Sequence, residues 1–111
     1  MEIVIVNERA FEFIKNGNKK IEVRKDGAFF CNFEPGKIFY FLELKNRQKV
    51  LAKIIRINTY QNLTDLILNE PMEIVNPYPD IVTIEDSILL YKKHYKNKIS
   101  GDWISIHFSL I

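Results

Sequence analysis

Lys19, Glu22 and Arg24 are close enough in the sequence to form one polar site. Ile21 and Val23 alternate with Glu22 and Arg24, which is the period-two pattern of a strand with one apolar and one polar face. Glu22 and Arg24 are therefore expected on the same face, with Lys19 at the start of the strand. An arginine offers a planar fork to phosphate or carbonyl oxygens, and a glutamate accepts hydrogen bonds from an exocyclic amine or a hydroxyl.

The role of Lys19 in such a site has two interpretations. A lysine that is partly desolvated beside another cation has a lowered pKa and can act as a base. Otherwise its ammonium group contacts a ligand oxygen. For the motif as a whole, the alternative is that Glu22 and Arg24 form a surface ion pair that contributes under about 1 kcal/mol to stability and has no function. Residue spacing alone leaves these interpretations open.

The same residues fit the pattern Gly-x-Lys-x-x-Glu-x-Arg, which resembles the signature of ASCH domains, small members of the PUA-like superfamily. The resemblance continues along nearly the whole chain. Residues 34–41 resemble the turn and strand that follow the motif, residues 50–60 resemble the next strand, and a late helix with tyrosines precedes a similar closing strand. The chain departs from the family at Lys37, where many members have an aspartate.

The resemblance implies a cleft in which Lys19, Glu22 and Arg24 face RNA, a nucleoside or a nucleotide. In such a cleft we expect Lys20 and Arg24 to contact phosphate or carbonyl oxygens and Glu22 to contact the edge of a base. Tyr78 lies in a loop stiffened by two prolines. Its ring either stacks on an unpaired base or closes the edge of the barrel.

An enzymatic function is the second implication of the resemblance, because one bacterial branch of the family hydrolyses N4-acetylcytidine. Its lysine matches Lys19, its threonine nucleophile stands where this chain has Glu22, and Asp80 is the nearest counterpart of its glutamate. A carboxylate at position 22 would activate water rather than attack the amide itself. An amidohydrolase that uses Lys19, Glu22 and Asp80 is therefore an alternative to simple binding, and a module that binds other proteins is a third.

Composition limits the class of protein to which the chain can belong. With 111 residues, 47% of them hydrophobic, the chain fits a single globular domain over residues 1–111 rather than a disordered segment. Its net charge of +2 is small for a protein that wraps nucleic acid but suits a nucleotide or a short RNA loop. The sequence lacks an apolar run of membrane-spanning length and a signal peptide. We therefore expect a cytoplasmic monomer without a membrane partner.

Metal ions and cofactors are not expected from the sequence. Cys31 is the only cysteine, and His94 and His107 have no metal-ligand spacing with it. A glycine-rich phosphate loop and a nucleophile elbow are both missing from the sequence. His107 alternates with apolar residues near the C-terminus, so we expect it on the outer face of a strand.

Hydrophobic periodicity predicts about five strands and about three helices. The predicted strands are residues 1–6, 20–24, 37–44, 50–57 and 103–110. The predicted helices run from Asn7, a typical N-cap residue, to Gly17, from Leu63 to Pro71, and from Thr83 to Tyr95. Thr83 with Asp86 three residues later resembles a capping box. Residues 25–36 are predicted to be a loop. With strands that pair antiparallel to their neighbours in sequence, these elements predict an α+β fold, and the resemblance implies a small PUA-like mixed or antiparallel β-barrel with peripheral helices.

Overall fold

Five strands and four α-helices make up the structure, a computed structural model that describes all residues 1–111. The strands are β1 (Ile3–Ile5), β2 (Ile21–Lys25), β3 (Ile38–Glu43), β4 (Gln48–Tyr60) and β5 (Trp103–Leu110). The helices are α1 (Glu8–Lys15), α2 (Leu63–Asn69), α3 (Met72–Val75) and α4 (Ile84–His94), with one 3-10 turn at Ala28–Phe30. The predicted α+β class and five-stranded, curled, barrel-like sheet are confirmed.

The strands form one sheet in the order β1-β3-β4-β5-β2. β1 runs parallel to β3, and all other neighbouring strands are antiparallel. The predicted antiparallel pairing of strands adjacent in sequence holds for β3, β4 and β5, but it is wrong for β1, which pairs with β3, and for β2, which pairs with β5. This pairing places Glu22 opposite Ile106 and Arg24 opposite Ile104. The motif strand is therefore held by residues 78 to 86 positions away in the sequence.

Hydrophobic clusters lie on both sides of the sheet. The larger cluster includes Val4, Phe11, Phe39, Phe41, Ile106 and Phe108. The smaller cluster, which includes side chains of α2, α3 and α4, contains Ile21, Val23, Leu66, Val75, Tyr91 and Trp103. Since β5 contributes to both clusters, it is buried on both faces. Even the polar Ser105 is fully buried.

Side-chain caps fix the starts of α1 and α4. The Asn7 Oδ1 atom accepts a hydrogen bond from the backbone N–H of Ala10 at 2.7 Å. Thr83 and Asp86 form a reciprocal capping box, with both hydrogen bonds at 3.0 Å. Both caps were predicted from the sequence and are confirmed. None of the helices combines the length and the apolar composition needed to cross a membrane.

Two short helical elements were not predicted. The 3-10 turn at Ala28–Phe30 lies inside the predicted loop, and α3 follows Pro71 directly. Each is four residues or fewer, which is too short for helical periodicity to show in the sequence. The position of α3 matters for the site, because its last residue, Val75, supplies a backbone carbonyl to Lys19.

Candidate functional site

Lys19, Glu22 and Arg24 meet in a buried cluster of charges, which we call the motif triad. Lys19 Nζ lies 3.2 Å from Glu22 Oε1, while Arg24 donates to Glu22 Oε2 from Nε at 3.1 Å and from Nη2 at 2.9 Å. The three side chains are only 2%, 10% and 23% exposed, respectively. The triad is therefore not the solvent-exposed ion pair that the sequence also allowed.

All three N–H groups of the Lys19 ammonium have acceptors within the protein. Besides Glu22, its Nζ donates to the backbone carbonyls of Ile21 at 2.8 Å and Val75 at 2.5 Å. An ammonium group has three N–H donors, and each of them has an acceptor here. Gly17, at a φ of +87°, makes the turn that brings Lys19 to this position. Lys19 therefore has no hydrogen left for a ligand, and its effect on the site is to hold Glu22.

The electrostatics of the triad keep Glu22 ionised. Burial alone would raise the pKa of Glu22, but the charges and hydrogen bonds of Lys19 and Arg24 outweigh burial and hold that pKa below its ordinary value. Burial lowers the pKa of Lys19, and the neighbouring Glu22 opposes this change. Because three acceptors surround Nζ, the geometry favours the charged ammonium form.

Arg24 is clamped on one side and free on the other. Its Nη2 donates both to Glu22 and to the backbone carbonyl of Ile5 at 2.5 Å, which ties β2 to β1. Its Nη1 has no hydrogen-bond partner in the protein. Since Nε and Nη2 fix the guanidinium plane, Nη1 presents two N–H donors in a defined direction. Glu22 Oε1, which accepts only from Lys19, keeps acceptor capacity beside it.

The triad lines a pocket formed by β1, the start of α1, β2, the loop before α4, and α4 itself. The pocket has a volume of about 100 Å³. Sites for whole drug-sized ligands usually measure about 300–1,000 Å³, so this pocket accepts only part of a ligand. The polar and aromatic side chains beside the triad are those of Asn7, Arg9, Asn76, Tyr78, Tyr91, His94 and Tyr95.

Tyr78 lines this pocket but is almost buried. Its ring packs edge-on against Phe13, with 5.2 Å between ring centroids, and the Arg9 guanidinium lies 4.0 Å from its centroid. These contacts agree with the interpretation in which Tyr78 closes the edge of the barrel. Asp80 does not line the pocket; it is exposed and pairs with Arg9 at 2.6 Å.

Lys20 lies outside the pocket, although its position in the sequence predicted a place beside Glu22 and Arg24. The regular strand begins only at Ile21, so the alternation that joins Glu22 and Arg24 does not extend back to Lys20. Instead, Lys20 is exposed and lines a separate groove with His107. The structure thus brings together Lys19, not Lys20, with the two later members of the motif.

Several pocket residues were not predicted as site residues. Asn7 was interpreted as a helix cap, but capping uses its Oδ1 and leaves its amide Nδ2 without a partner in the protein. Tyr91 lies on α4, and Tyr95 follows the helix directly, one turn further along. Tyr91 is buried and donates to Asn76 Oδ1 at 3.2 Å, whereas Tyr95 is half-buried. The spacing of four residues between these tyrosines indicated a shared helix face but not the pocket that it meets.

Comparisons with known proteins concern the fold. A scan against protein-family models gave no match, and a search of the curated proteins gave no significant match. Among solved structures, the hypothetical protein PH0355 is similar with a TM-score of 0.76 and 22% identity, over 100% of both chains. A mutant of ZmASCH from Zymomonas mobilis has a TM-score of 0.68 and 7% identity, over 96% of this chain and 66% of that one.

An ASCH domain from Lactobacillus crispatus is also similar, with a TM-score of 0.55 and 11% identity, over 98% of this chain and 79% of that one. Identities this low establish a common fold and nothing about ligands. Two ASCH structures from different bacteria nevertheless match almost all of this chain. The chain therefore has the ASCH-like fold that its motif indicated.

Proposed function

We propose that this chain binds a nucleotide, or an unpaired base of RNA, in the pocket lined by the motif triad. The observation that supports this proposal is the pairing of a buried, ionised Glu22 with an Arg24 whose Nη1 is unused. A donor and an acceptor fixed side by side complement the hydrogen-bonding edge of a nucleobase. A buried ion pair adds little net stability, because desolvation of the charges offsets their attraction. A ligand role is therefore a better reason than strand stability for burying Glu22.

The shape of the pocket supports recognition of a single base. Its volume of about 100 Å³ leaves room for the edge of one base but not for a folded RNA element. Tyr95 and the exposed His94 lie edge to face, with 5.0 Å between ring centroids, at the wall formed by α4. Aromatic side chains in this position offer a surface on which a splayed base can stack. The sugar and phosphate would then remain outside.

Hydrolysis of a modified nucleoside has less support from the geometry. Lys19 has no free N–H, and its ammonium form is held by three acceptors. Glu22 is kept ionised, with a pKa below its ordinary value, and both of its oxygens already accept hydrogen bonds. Asp80 pairs with Arg9 outside the pocket. We therefore propose binding, and incubation of the protein with N4-acetylcytidine tests the hydrolytic alternative directly.

Replacement of Arg24 by alanine should weaken binding of nucleotides or short single-stranded RNA by about 100-fold or more. This estimate follows from the loss of two charge-assisted hydrogen bonds of about 1.5–3 kcal/mol each. The Lys19–Glu22 pair remains, so the buried charge stays balanced and the variant should fold. Titration calorimetry with the four nucleoside monophosphates and a short unstructured RNA measures the effect.

Lys53→Ala provides the matched control, because it removes one positive charge from an exposed position of β4 that does not line the pocket. We expect this variant to bind like the wild-type protein at physiological salt. Equal losses in the two variants would mean that binding is only general electrostatic attraction. If no nucleotide or RNA binds the wild-type protein, the proposal is wrong and a protein-binding module becomes the better hypothesis.

A further inference from the structure

A second buried polar cluster is centred on Glu70, the residue that ends α2. The side chain of Glu70 is only 3% exposed and accepts four hydrogen bonds. The donors are Asn58 Nδ2 at 3.0 Å, Tyr60 OH at 2.8 Å, Ser105 Oγ, and His107 Nε2 at 3.0 Å. Burial would raise the pKa of Glu70, but these donors outweigh burial and lower it. Glu70 is therefore ionised and held in a fixed position by side chains of β4 and β5.

Glu70 fixes the orientation of His107. Because Nε2 faces a carboxylate, it carries the hydrogen and donates it, which leaves Nδ1 on the opposite side of the ring. Nδ1 lies 3.4 Å from Nη2 of Arg56. His107 lies on the face of β5 opposite Ile106 and Phe108, as the alternation predicted, but its imidazole is only 15% exposed. Helix α2 packs against β5 and covers part of this face, a contact that the alternation along one strand does not reveal.

Lys20, Arg56 and His107 meet in a groove outside this cluster, which we call the basic groove. Neither Lys20 nor Arg56 has a carboxylate within ion-pair distance. A register irregularity between Ile54 and Arg56 places Arg56 directly opposite His107 on the neighbouring strand. The groove has a volume of about 410 Å³, and its remaining walls are largely apolar: Ile21, Ile55, Pro71, Ile74 and Phe108.

We propose that the basic groove binds a phosphate group through Lys20 and Arg56, while the Nδ1 atom of His107 holds Arg56 in place by accepting a hydrogen bond from its Nη2. The two cations come from the segment before β2 and from β4, so they approach the oxygens of a tetrahedral anion from different directions. The arginine fork matches phosphate geometry, and the lysine adds a mobile charge. Glu70 is a positioning residue that orients His107. The ligand class is a phosphate group, either free or in a nucleic-acid backbone.

This site is separate from the pocket lined by the motif triad. The lining residues of the two cavities do not overlap. Lys20, which does not line the pocket, lines the basic groove. The proposal therefore does not depend on nucleotide binding at Arg24. A purely structural role of Glu70, tying α2 to the sheet, would explain the buried hydrogen bonds but not the two unpaired cations at the surface of the cluster.

Backbone-amide NMR of the full chain, titrated with inorganic phosphate against chloride at equal ionic strength, tests the proposal. We expect saturable shifts at Lys20, Arg56 and His107, together with a shift of the His107 ring signals. Arg56→Ala should weaken this binding about tenfold, which corresponds to loss of one charge-assisted hydrogen bond. Lys53→Ala, which removes the same charge from the same strand outside the groove, should leave it unchanged. Lys20→Gln provides a second variant at an exposed position, in case Arg56→Ala does not fold.

A second titration, with a short single-stranded RNA, distinguishes the two sources of phosphate. Tighter binding of RNA than of phosphate, sensitive to Arg56→Ala, would identify a backbone phosphate as the ligand, and equal binding would identify free phosphate. The proposal is overturned if phosphate gives no saturable shift in the groove, or if Lys53→Ala weakens binding as much as Arg56→Ala. A nucleoside without phosphate should move signals of the pocket alone, so failure at one site is distinguishable from failure at the other.

Discussion

Glu22→Gln should lower the free energy of unfolding by about 3–5 kcal/mol at pH 7, the range found when one partner of a buried ion pair is removed. The substitution leaves the Lys19 ammonium group, 2% exposed, without a negative partner. It also leaves Arg24 as an uncompensated like charge close to Lys19. Glutamine keeps the size of the side chain but replaces one acceptor oxygen by an NH2 donor, so the loss reports the missing charge and the hydrogen bond lost with it rather than packing. Urea denaturation of the two proteins measures it.

The effect of this substitution should depend on pH in a defined direction. The folded-state pKa of Glu22 is lowered from its ordinary value of 4.5. Its contribution to stability is therefore fully present above the unfolded-state pKa and is lost as the pH falls through the lower, folded-state pKa. Protonated Glu22 resembles glutamine, so the difference between the two proteins should shrink below pH 4.5. A difference that stays constant over this range would contradict an ionised Glu22.

Glu2→Gln supplies the control for burial. Glu2 pairs with Lys37 at 3.1 Å, almost the same distance as between Lys19 and Glu22, but its side chain is 36% exposed. Water and salt screen such a surface pair, and its attraction contributes little to stability. We therefore expect Glu2→Gln to change the free energy of unfolding far less than Glu22→Gln. Similar losses in the two variants would show that burial is not the cause.

Local patterns in the sequence predicted the elements that position the motif. Alternation of Ile21 and Val23 with Glu22 and Arg24 identified β2, because the pattern depends only on adjacent residues. The Asn7 cap predicted the start of α1 for the same reason. The proximity of Glu22 and Arg24 was also correct, since residues two apart in a strand share a face. Features that depend on a few consecutive residues were thus accessible from the sequence.

Features that depend on distant segments were not accessible. The sequence does not show that β2 pairs with β5 or that the carbonyl of Val75 meets Lys19. From the sequence alone, Lys19 was interpreted as a general base or as a contact to a ligand oxygen. In the structure it is buried and its ammonium group holds Glu22. Likewise, the cluster around Glu70 includes Ser105 of β5, which is 35 residues further along the chain, a separation that residue spacing does not bridge. The roles of Lys19 and of the cluster around Glu70 depend on how distant segments pack together, which the sequence pattern does not show.

The energetics of the motif triad raise the question of why buried charges occupy this strand at all. Replacing both members of a buried ion pair by apolar residues is often neutral or stabilising, although replacing one member is costly. We therefore expect the double variant Lys19→Met with Glu22→Leu to be more stable than the sum of the two single substitutions predicts. The coupling free energy should be about 2–3 kcal/mol, at the upper end of values for residues in contact.

Recovery in this double variant should be incomplete, because Arg24 loses the Glu22 carboxylate and the carbonyls of Ile21 and Val75 lose the N–H groups of Lys19. An unsatisfied buried polar group costs about 1–3 kcal/mol, so the double variant should remain less stable than the wild-type protein. Urea denaturation of the four proteins gives the coupling, and purely additive losses would contradict it. Nucleotide binding should not recover at all, since Glu22 supplies the acceptor beside Arg24. A protein that regains stability without regaining its ligand would show that the charges are kept for recognition rather than for folding.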